Sequence, residues 1–378
     1  MGNLTKGDLL RSRIPLALAA VAVLALAVSA CGSSSKKSST GSSSSTSAPT
    51  SAGGTINGAG STFAAPIYQQ WGNALRSQGV TVNYQPVGSG AGVAQFAART
   101  VDFGASDPAL APADLKTIKK GQPVQIPTAF GAITVAYNLS GVKAGLKLDG
   151  KAIADIFLGK VKSWSSPEIA SLNPGIKLPS QSITVIHRSD ESGTTKGFTS
   201  FLAAHSPQWK SQVGSDKTVK WPTGTGAKGN DGVAGAIKQQ AGAVGYVEQA
   251  YALQNKFTTA SVKNRAGRYV APALGSTTAA GNGIKVPADL GISIIDSPNP
   301  AAYPIASQTF VIVYKDSCKA GVAPATARAL SRFVSFALGA GQNVLGQLEY
   351  AKLPAPILAK AKAAAGTLTC NGQPLGAG

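Results

Sequence analysis

FGAITVAYN (130–138) and SQTFVIVYK (307–315) decide how this 378-residue chain is divided. Both are apolar runs rich in β-branched and aromatic residues that reach a tyrosine, the pattern of buried strands. If each passes between two domains, the chain leaves a first domain, builds a second and returns. The first domain is then discontinuous, 55–131 plus 307–378. The second is 132–306, and two strands form the hinge.

Outward from these runs, β-rich and helical patterns alternate. Strands are expected at 81–84, 101–105, 132–137, 183–187, 242–247 and 309–314. Helices are expected at 64–76, 91–99, 153–157, 197–204 and 233–240, and in two alanine-rich stretches, 324–338 and 354–364. Each of the last two opens on a proline, which suits a first helical position. Such alternation implies an α/β architecture with largely parallel sheets. No repeat with a period of 20–50 residues is present.

The N-terminal end reads as targeting, not fold. Lys6, Arg11 and Arg13 precede an apolar run from Ile14 to Val28. That run is shorter than the roughly 18–20 residues a spanning helix needs, and it fits a secretory signal over residues 1–30. It ends in Val28-Ser29-Ala30-Cys31, which resembles the bacterial lipobox. Cys31 is then the lipidation site, and a lipid, not a helix, holds the protein at the outer face of the plasma membrane. Residues 31–54 are dominated by Ser, Thr and Gly. Such a stretch cannot bury a core and is expected to act as a flexible tether.

The chain carries 35 basic and 16 acidic residues, a formal charge of +19. Without Lys6, Arg11, Arg13 and Asp8 of the leader, the balance is +17. The lysines are scattered and aromatics are only 6%, with no stacking pattern for single strands, which points away from nucleic acid. A broad positive field that draws in small anions fits better. With Cys31 assigned to the lipid, Cys318 and Cys370 remain as a pair in an oxidising compartment, and a disulfide is expected. Two buried free thiols are the alternative. Two histidines and no clustered Cys/His spacing give no metal site.

Four small-residue turns stand where a strand is expected to feed a helix: GAGSTFAAPIY (58–68), GSGAGVAQF (88–96), DFGASDPAL (102–110) and HRSDESGTT (187–195). The first turn of a helix has free N–H groups and partial positive charge, so it accepts an anion. In the first, Gly58 and Gly60 make the turn and Ser61 and Thr62 offer hydroxyls. In the third, Asp107 is an N-cap candidate before Pro108. Catalysis is weakly supported. The G-x-S-x-G elbow and the phosphate-loop pattern G-x-x-x-x-G-K-[ST] are absent, and GAKGNDG (226–232) does not supply the latter. His187 is a conceivable base for Ser192, but strand alternation points it away from Arg188. A secreted phosphatase or esterase using Ser192 or Thr62, and an adhesion or sensing role, stand as competing readings.

These segments, with IFLGKVKSWSSPEIASLNPGIKLP (156–179) and WPTGTGAKGNDGVAGAIKQQAGAVGYVE (221–248), resemble in order and spacing the phosphate-binding lipoproteins of bacterial high-affinity phosphate ABC transporters. The resemblance runs from about residue 55 to the C-terminus. It implies a two-lobed periplasmic-binding-protein fold (type II), two mixed α/β domains joined by a two-strand hinge. It also implies a monomeric, non-enzymatic, cofactor-free receptor that serves a permease and its ATPase subunits. The implied phosphate ligands are Thr62, Phe63 (through its backbone N–H), Ser89, Asp107, Arg188, Asp190, Ser192, Gly193 and Thr194.

The chemistry agrees. Phosphate at neutral pH both accepts and donates hydrogen bonds, whereas sulfate only accepts. A carboxylate aimed at the ligand takes a proton from P–OH but faces sulfate unpaired, which costs several kcal/mol. The residues alone do not say which aspartate does this. The resemblance gives the role to Asp107 and makes Asp190 the counter-charge of Arg188, which grips two oxygens. Glu191 is unexplained by the family pattern and is expected to point to solvent.

Overall fold

Strand β1 (Gly54–Gly60) starts where the serine-rich stretch ends. A computed structural model describes residues 53–142 and 145–376. The leader, Cys31 and the tether therefore lie outside the described residues.

Seven further strands make one mixed sheet with β1: β2 (Val80–Pro86), β3 (Phe103–Ser106), β4 (Pro123–Tyr137), β5 (Thr184–Arg188), β6 (Thr225–Ala227), β7 (Ala243–Glu248) and β8 (Ala306–Tyr314). Their order is β2-β1-β3-β8-β4-β7-β5-β6, with Thr258–Thr259 added beside β4. β1, β2 and β3 are mutually parallel, as are β5, β6 and β7, while β8 and β4 run antiparallel between the two groups. The centre of this sheet is buried on both faces, which is why 130–138 and 307–315 read as unbroken apolar runs.

β4 is 15 residues long because it serves both groups. Pro123 to Ala132 pair with β8, and Ile133 to Tyr137 pair with β7. β8 behaves differently. It lies wholly beside β3 and the first part of β4, the chain having crossed just before it, where Ile133 N–H donates to Ile305 O. A register shift falls between Thr309 and Phe310, opposite Thr128. The bulge sits next to Pro127, which has no N–H to give to the ladder.

Helices cover the sheet. They include α1 (Ala65–Arg76), α2 (Ser89–Ala98), α3 (Pro112–Thr117), α4 (Gly150–Phe157), α5 (Gly193–His205), α6 (Gly229–Gln239), α7 (Pro324–Leu338) and α8 (Ala355–Ala365). Around β1 to β3 the core is a cluster of Tyr68, Trp71, Phe103 and Phe333 in tilted and edge-to-face contacts. Around β5 to β7 it is Phe157, Phe198, Trp209, Trp221 and Tyr246. Truncating one such fully buried ring costs about 3–5 kcal/mol.

Cys318 and Cys370 are disulfide-bonded, with Cα atoms 4.7 Å apart. The bond ties the segment after β8 to a C-terminal hairpin, Thr369–Cys370 against Gln373–Pro374. Asp316 reinforces it by accepting N–H bonds from Lys319, Asn371 and Gly372.

Two expectations need correcting. Gly58 and Gly60 are not turn residues but the last part of β1, chosen for close approach. A Cβ on Gly58 would lie 2.0 Å from Phe103 Cζ, and one on Gly60 2.0 Å from Ala105 O. Asp107 is not a helix N-cap. The helix after β3 starts at Pro112 with Ala111 in the cap position, because the Asp107 carboxylate is claimed by hydroxyls elsewhere.

Candidate functional site

The end of β1 runs into Ser61, Thr62 and Phe63, all buried, before α1 begins. The Thr62 and Phe63 N–H groups meet no acceptor among the described residues. The Phe63 carbonyl accepts from Tyr350 OH at 2.6 Å and the Thr62 carbonyl from Tyr251 OH at 2.7 Å. The Tyr251 bond thereby turns the Phe63 N–H, which shares that peptide, away from the tyrosine, while the Tyr350 bond fixes the next peptide, whose Ala64 N–H donates to Ser61 Oγ.

Ser89 is the first residue of α2, preceded by Gly88 with φ +97. Asp107 follows β3 and is only 2% exposed. Its Oδ1 accepts from Ser61 Oγ (2.5 Å) and Thr309 Oγ1 (2.9 Å), and its Oδ2 faces Ser89 Oγ at 3.4 Å. Gln308 Nε2 donates to the Asp107 carbonyl at 2.7 Å. Every group bonded to this carboxylate is a neutral hydroxyl. Burial pushes the carboxyl up to about 6, a rise that the hydroxyl bonds and the nearby Arg188 charge only partly offset.

On the other side, β5 delivers Arg188, whose side chain is 1% exposed. Its Nε donates to Asp190 Oδ1 at 2.7 Å and Nη2 to Asp190 Oδ2, a bidentate pair. Nη1 lies 3.4 Å from Thr194 Oγ1. Gly229 N–H, at the start of α6, adds a third bond to Asp190 Oδ1. Burial alone would raise the Asp190 carboxyl, but the Arg188 bonds and charge outweigh it and hold it below the usual range.

Ser192 caps α5, its Oγ accepting from Thr195 N–H at 3.1 Å. The Gly193 and Thr194 N–H groups meet no acceptor among the described residues. The Gly193 backbone lies against the first group of strands. A Cβ on Gly193 would stand 2.4 Å from Ser89 Oγ and 2.5 Å from Asp107 Oδ2. Asn230 Nδ2 donates to Thr62 Oγ1 at 2.8 Å, and Gly90 N–H donates to Glu191 O at 3.0 Å. The structure therefore brings all nine expected residues to one place between the two strand groups.

Among the described residues no group of three or more His, Cys, Asp or Glu side chains is placed to hold a metal, and no helix is long and apolar enough to cross a membrane. His187 stacks on Trp221 with ring centroids 4.7 Å apart, and its Nδ1 lies 3.0 Å from Arg188 O, so it is not aimed at Ser192. Glu191 is exposed, as expected, but not idle. Its Oε1 pairs with Lys217 Nζ at 3.0 Å, and the same ammonium reaches Asp114 Oδ1 of α3 at 3.0 Å.

Sequence reasoning left Thr309, Gln308 and Asn230 out of the site and placed Ser61 only as a hydroxyl in a turn. Thr309 and Gln308 lie in the quoted strand 307–315, where the polar pair interrupts an apolar run. Asn230 lies in GAKGNDG, ahead of the helix expected at 233–240, and only the structure shows it buried at a helix start.

A family model described as a PBP superfamily domain matches residues 45–340. The chain is 41% identical to the phosphate-binding protein PstS of Haemophilus influenzae over 318 residues, which cover 83% of this chain and 93% of that protein. It is 33% identical to phosphate-binding protein PstS3 of Mycobacterium bovis over 362 residues, 91% and 95% of the two chains. Among solved structures it is similar in fold to a high affinity periplasmic phosphate-binding protein with phosphate bound. The TM-score is 0.68 at 23% identity, over 84% of this chain and 97% of that one.

Proposed function

The chain belongs to the PstS phosphate-binding family of the periplasmic-binding-protein superfamily, and from that premise we propose how it captures inorganic phosphate and passes it to an ABC permease. It is a binding protein, not an enzyme. One lobe comprises 55–131 plus 307–378 and the other 132–306, and the anion is enclosed where they meet.

In this reading Thr62, Ser89, Ser192 and Thr194 give hydroxyl donors, while Phe63, Gly193 and Thr194 give backbone N–H groups. Arg188 supplies the positive charge, and Asp190 holds its guanidinium in orientation and partly neutralises it. The observation that carries the assignment is Asp107, a buried carboxylate met only by hydroxyls, with Oδ2 turned toward the Gly193 backbone. No cation is bonded to it, so a P–OH is the partner that satisfies it, and a fully deprotonated anion is not. A hydrolytic role draws no support from His187, which is committed to Trp221 and the Arg188 carbonyl.

The remaining parts are placement and delivery. The basic balance of the chain favours collection of anions. Cleavage before Cys31 and lipidation there would anchor the receptor at the outer face of the plasma membrane, with 31–54 as its leash. Its partners are then the permease and the ATPase subunits that drive it. Calorimetry of the purified protein tests the central point: tight, saturable phosphate binding with little heat from sulfate is expected. Equal affinity for the two anions would overturn it.

A further inference from the structure

Asn230 is fully buried at the first turn of α6, on the lobe opposite Thr62. Its amide orientation is set by its neighbours. Oδ1 accepts from Glu248 N–H at 2.9 Å, so Nδ2 is the group that faces Thr62 Oγ1 at 2.8 Å and Thr194 Oγ1 at 3.4 Å. The Asn230 backbone N–H approaches the same Thr62 oxygen at 3.3 Å.

A threonine hydroxyl has one proton and two lone pairs. With two N–H groups from Asn230 directed at its lone pairs, the Thr62 oxygen has only its own proton left to offer. We propose that Asn230 is a positioning and specificity residue: on closure it turns the Thr62 hydroxyl into an obligate donor, so the ligand oxygen there must be unprotonated. The phosphate proton is thereby steered away from the Thr62 oxygen and toward Asp107, which accepts it. Because Thr62 and Asn230 lie on different lobes, this choice is made only when the lobes meet. The inference rests on the reading of Thr62 as a phosphate ligand, and it adds a residue that touches the ligand's partner rather than the ligand.

The charged and titratable groups around this point are Arg188 and Asp190 from β5, Glu248 from the end of β7, Asp107 after β3, Asp231 in α6, and Tyr251 and Tyr350 behind Thr62 and Phe63. An N230D substitution keeps the acceptor for Glu248 N–H but replaces the Nδ2 donor by a carboxylate oxygen. Thr62 then donates to that oxygen, and its lone pairs face the ligand. In an acidic medium the new carboxyl is protonated and donates to Thr62 as the amide did.

The test is phosphate affinity of N230D, N230A, T62V and the double variant T62V/N230A as a function of pH, with thermal unfolding of each ligand-free protein. The expected loss is about tenfold for N230A and about a hundredfold for N230D at pH 8, the latter shrinking toward pH 5. In the T62V background N230A should add less than about twofold. Losses that add in full in the double variant, or an N230D loss independent of pH, overturn the inference while leaving Thr62 as a ligand. Unchanged affinity in T62V overturns the underlying ligand assignment and this inference with it. If N230A unfolds, the pH profile of the isosteric N230D decides alone.

Discussion

Asp107 and Asp190 are the same side chain in two environments, on opposite sides of one site. Asp190 has a bidentate guanidinium and a backbone N–H, and its carboxyl is held below the usual range. Asp107 has only hydroxyls, and burial lifts its carboxyl to about 6. The first is held in its charged form by Arg188 and is spent on it. The second is left as a proton acceptor, the property that on the proposed reading would distinguish hydrogenphosphate from sulfate. Two environments push two pKa values apart, and that separation assigns the roles.

The largest effect should come from removing the cation. R188A leaves Asp190 buried without its partner, and calorimetry should find phosphate affinity reduced at least about a thousandfold, with about 3 kcal/mol of stability lost. A mild loss would break the comparison, because Asp190 would then not depend on Arg188. Next, D107N should bind phosphate about tenfold more weakly yet reduce the preference over sulfate by about a hundredfold, since the amide can donate to sulfate. Intact sulfate rejection in D107N would move the proton acceptor to another residue.

The pH dependence sharpens the contrast. Below about 6, Asp107 in the ligand-free protein is protonated and becomes a donor. Sulfate affinity should therefore rise about tenfold between pH 7.5 and 5 in the wild type and stay flat in D107N. Stability follows the same group. Its folded pKa of about 6 exceeds the ordinary 3.8, so its contribution is fully present below pH 4 and is lost as pH rises through 6. D107N should accordingly stabilise the ligand-free protein near neutral pH by about 1–3 kcal/mol, the gain vanishing by pH 4 in denaturant titrations. Asp190 has the opposite sign: its contribution is present above the ordinary carboxylate range and is lost on acidification. The smallest effect belongs to the surface. K217A, which removes the bridge from Glu191 to Asp114, should change stability by less than about 1 kcal/mol, and less again in high salt.

Much of this was legible in the chain. The apolar runs 130–138 and 307–315 marked the centre of the sheet, and the proline at 324 marked a helix start to the residue. The glycine–serine turns marked where N–H groups gather. The partners of Asp107 were not legible, since Thr309 lies 202 positions away and only the β3–β8 pairing brings it near. Pro108 and Pro112 are both fair helix openers, and nothing local says that the second is used. Glu191 could be placed outside by its charge, but its tie to Lys217 required a third element, α3, to define the spot.

Gly131 stands where β4 passes from β8 to β7, and the space its side chain would take is filled by the Phe63 ring, 2.6 Å from an added Cβ. Phe63 thus leans on this crossing point with its ring, while on the proposed reading its peptide N–H serves the anion. Capture of the ligand and movement of the lobes would, on that reading, meet at this one side chain. Under the same proposal a receptor of this build would need no relay between its sensor and its moving part, and bulk added at residue 131 would reach the anion through the Phe63 ring from a position outside the site.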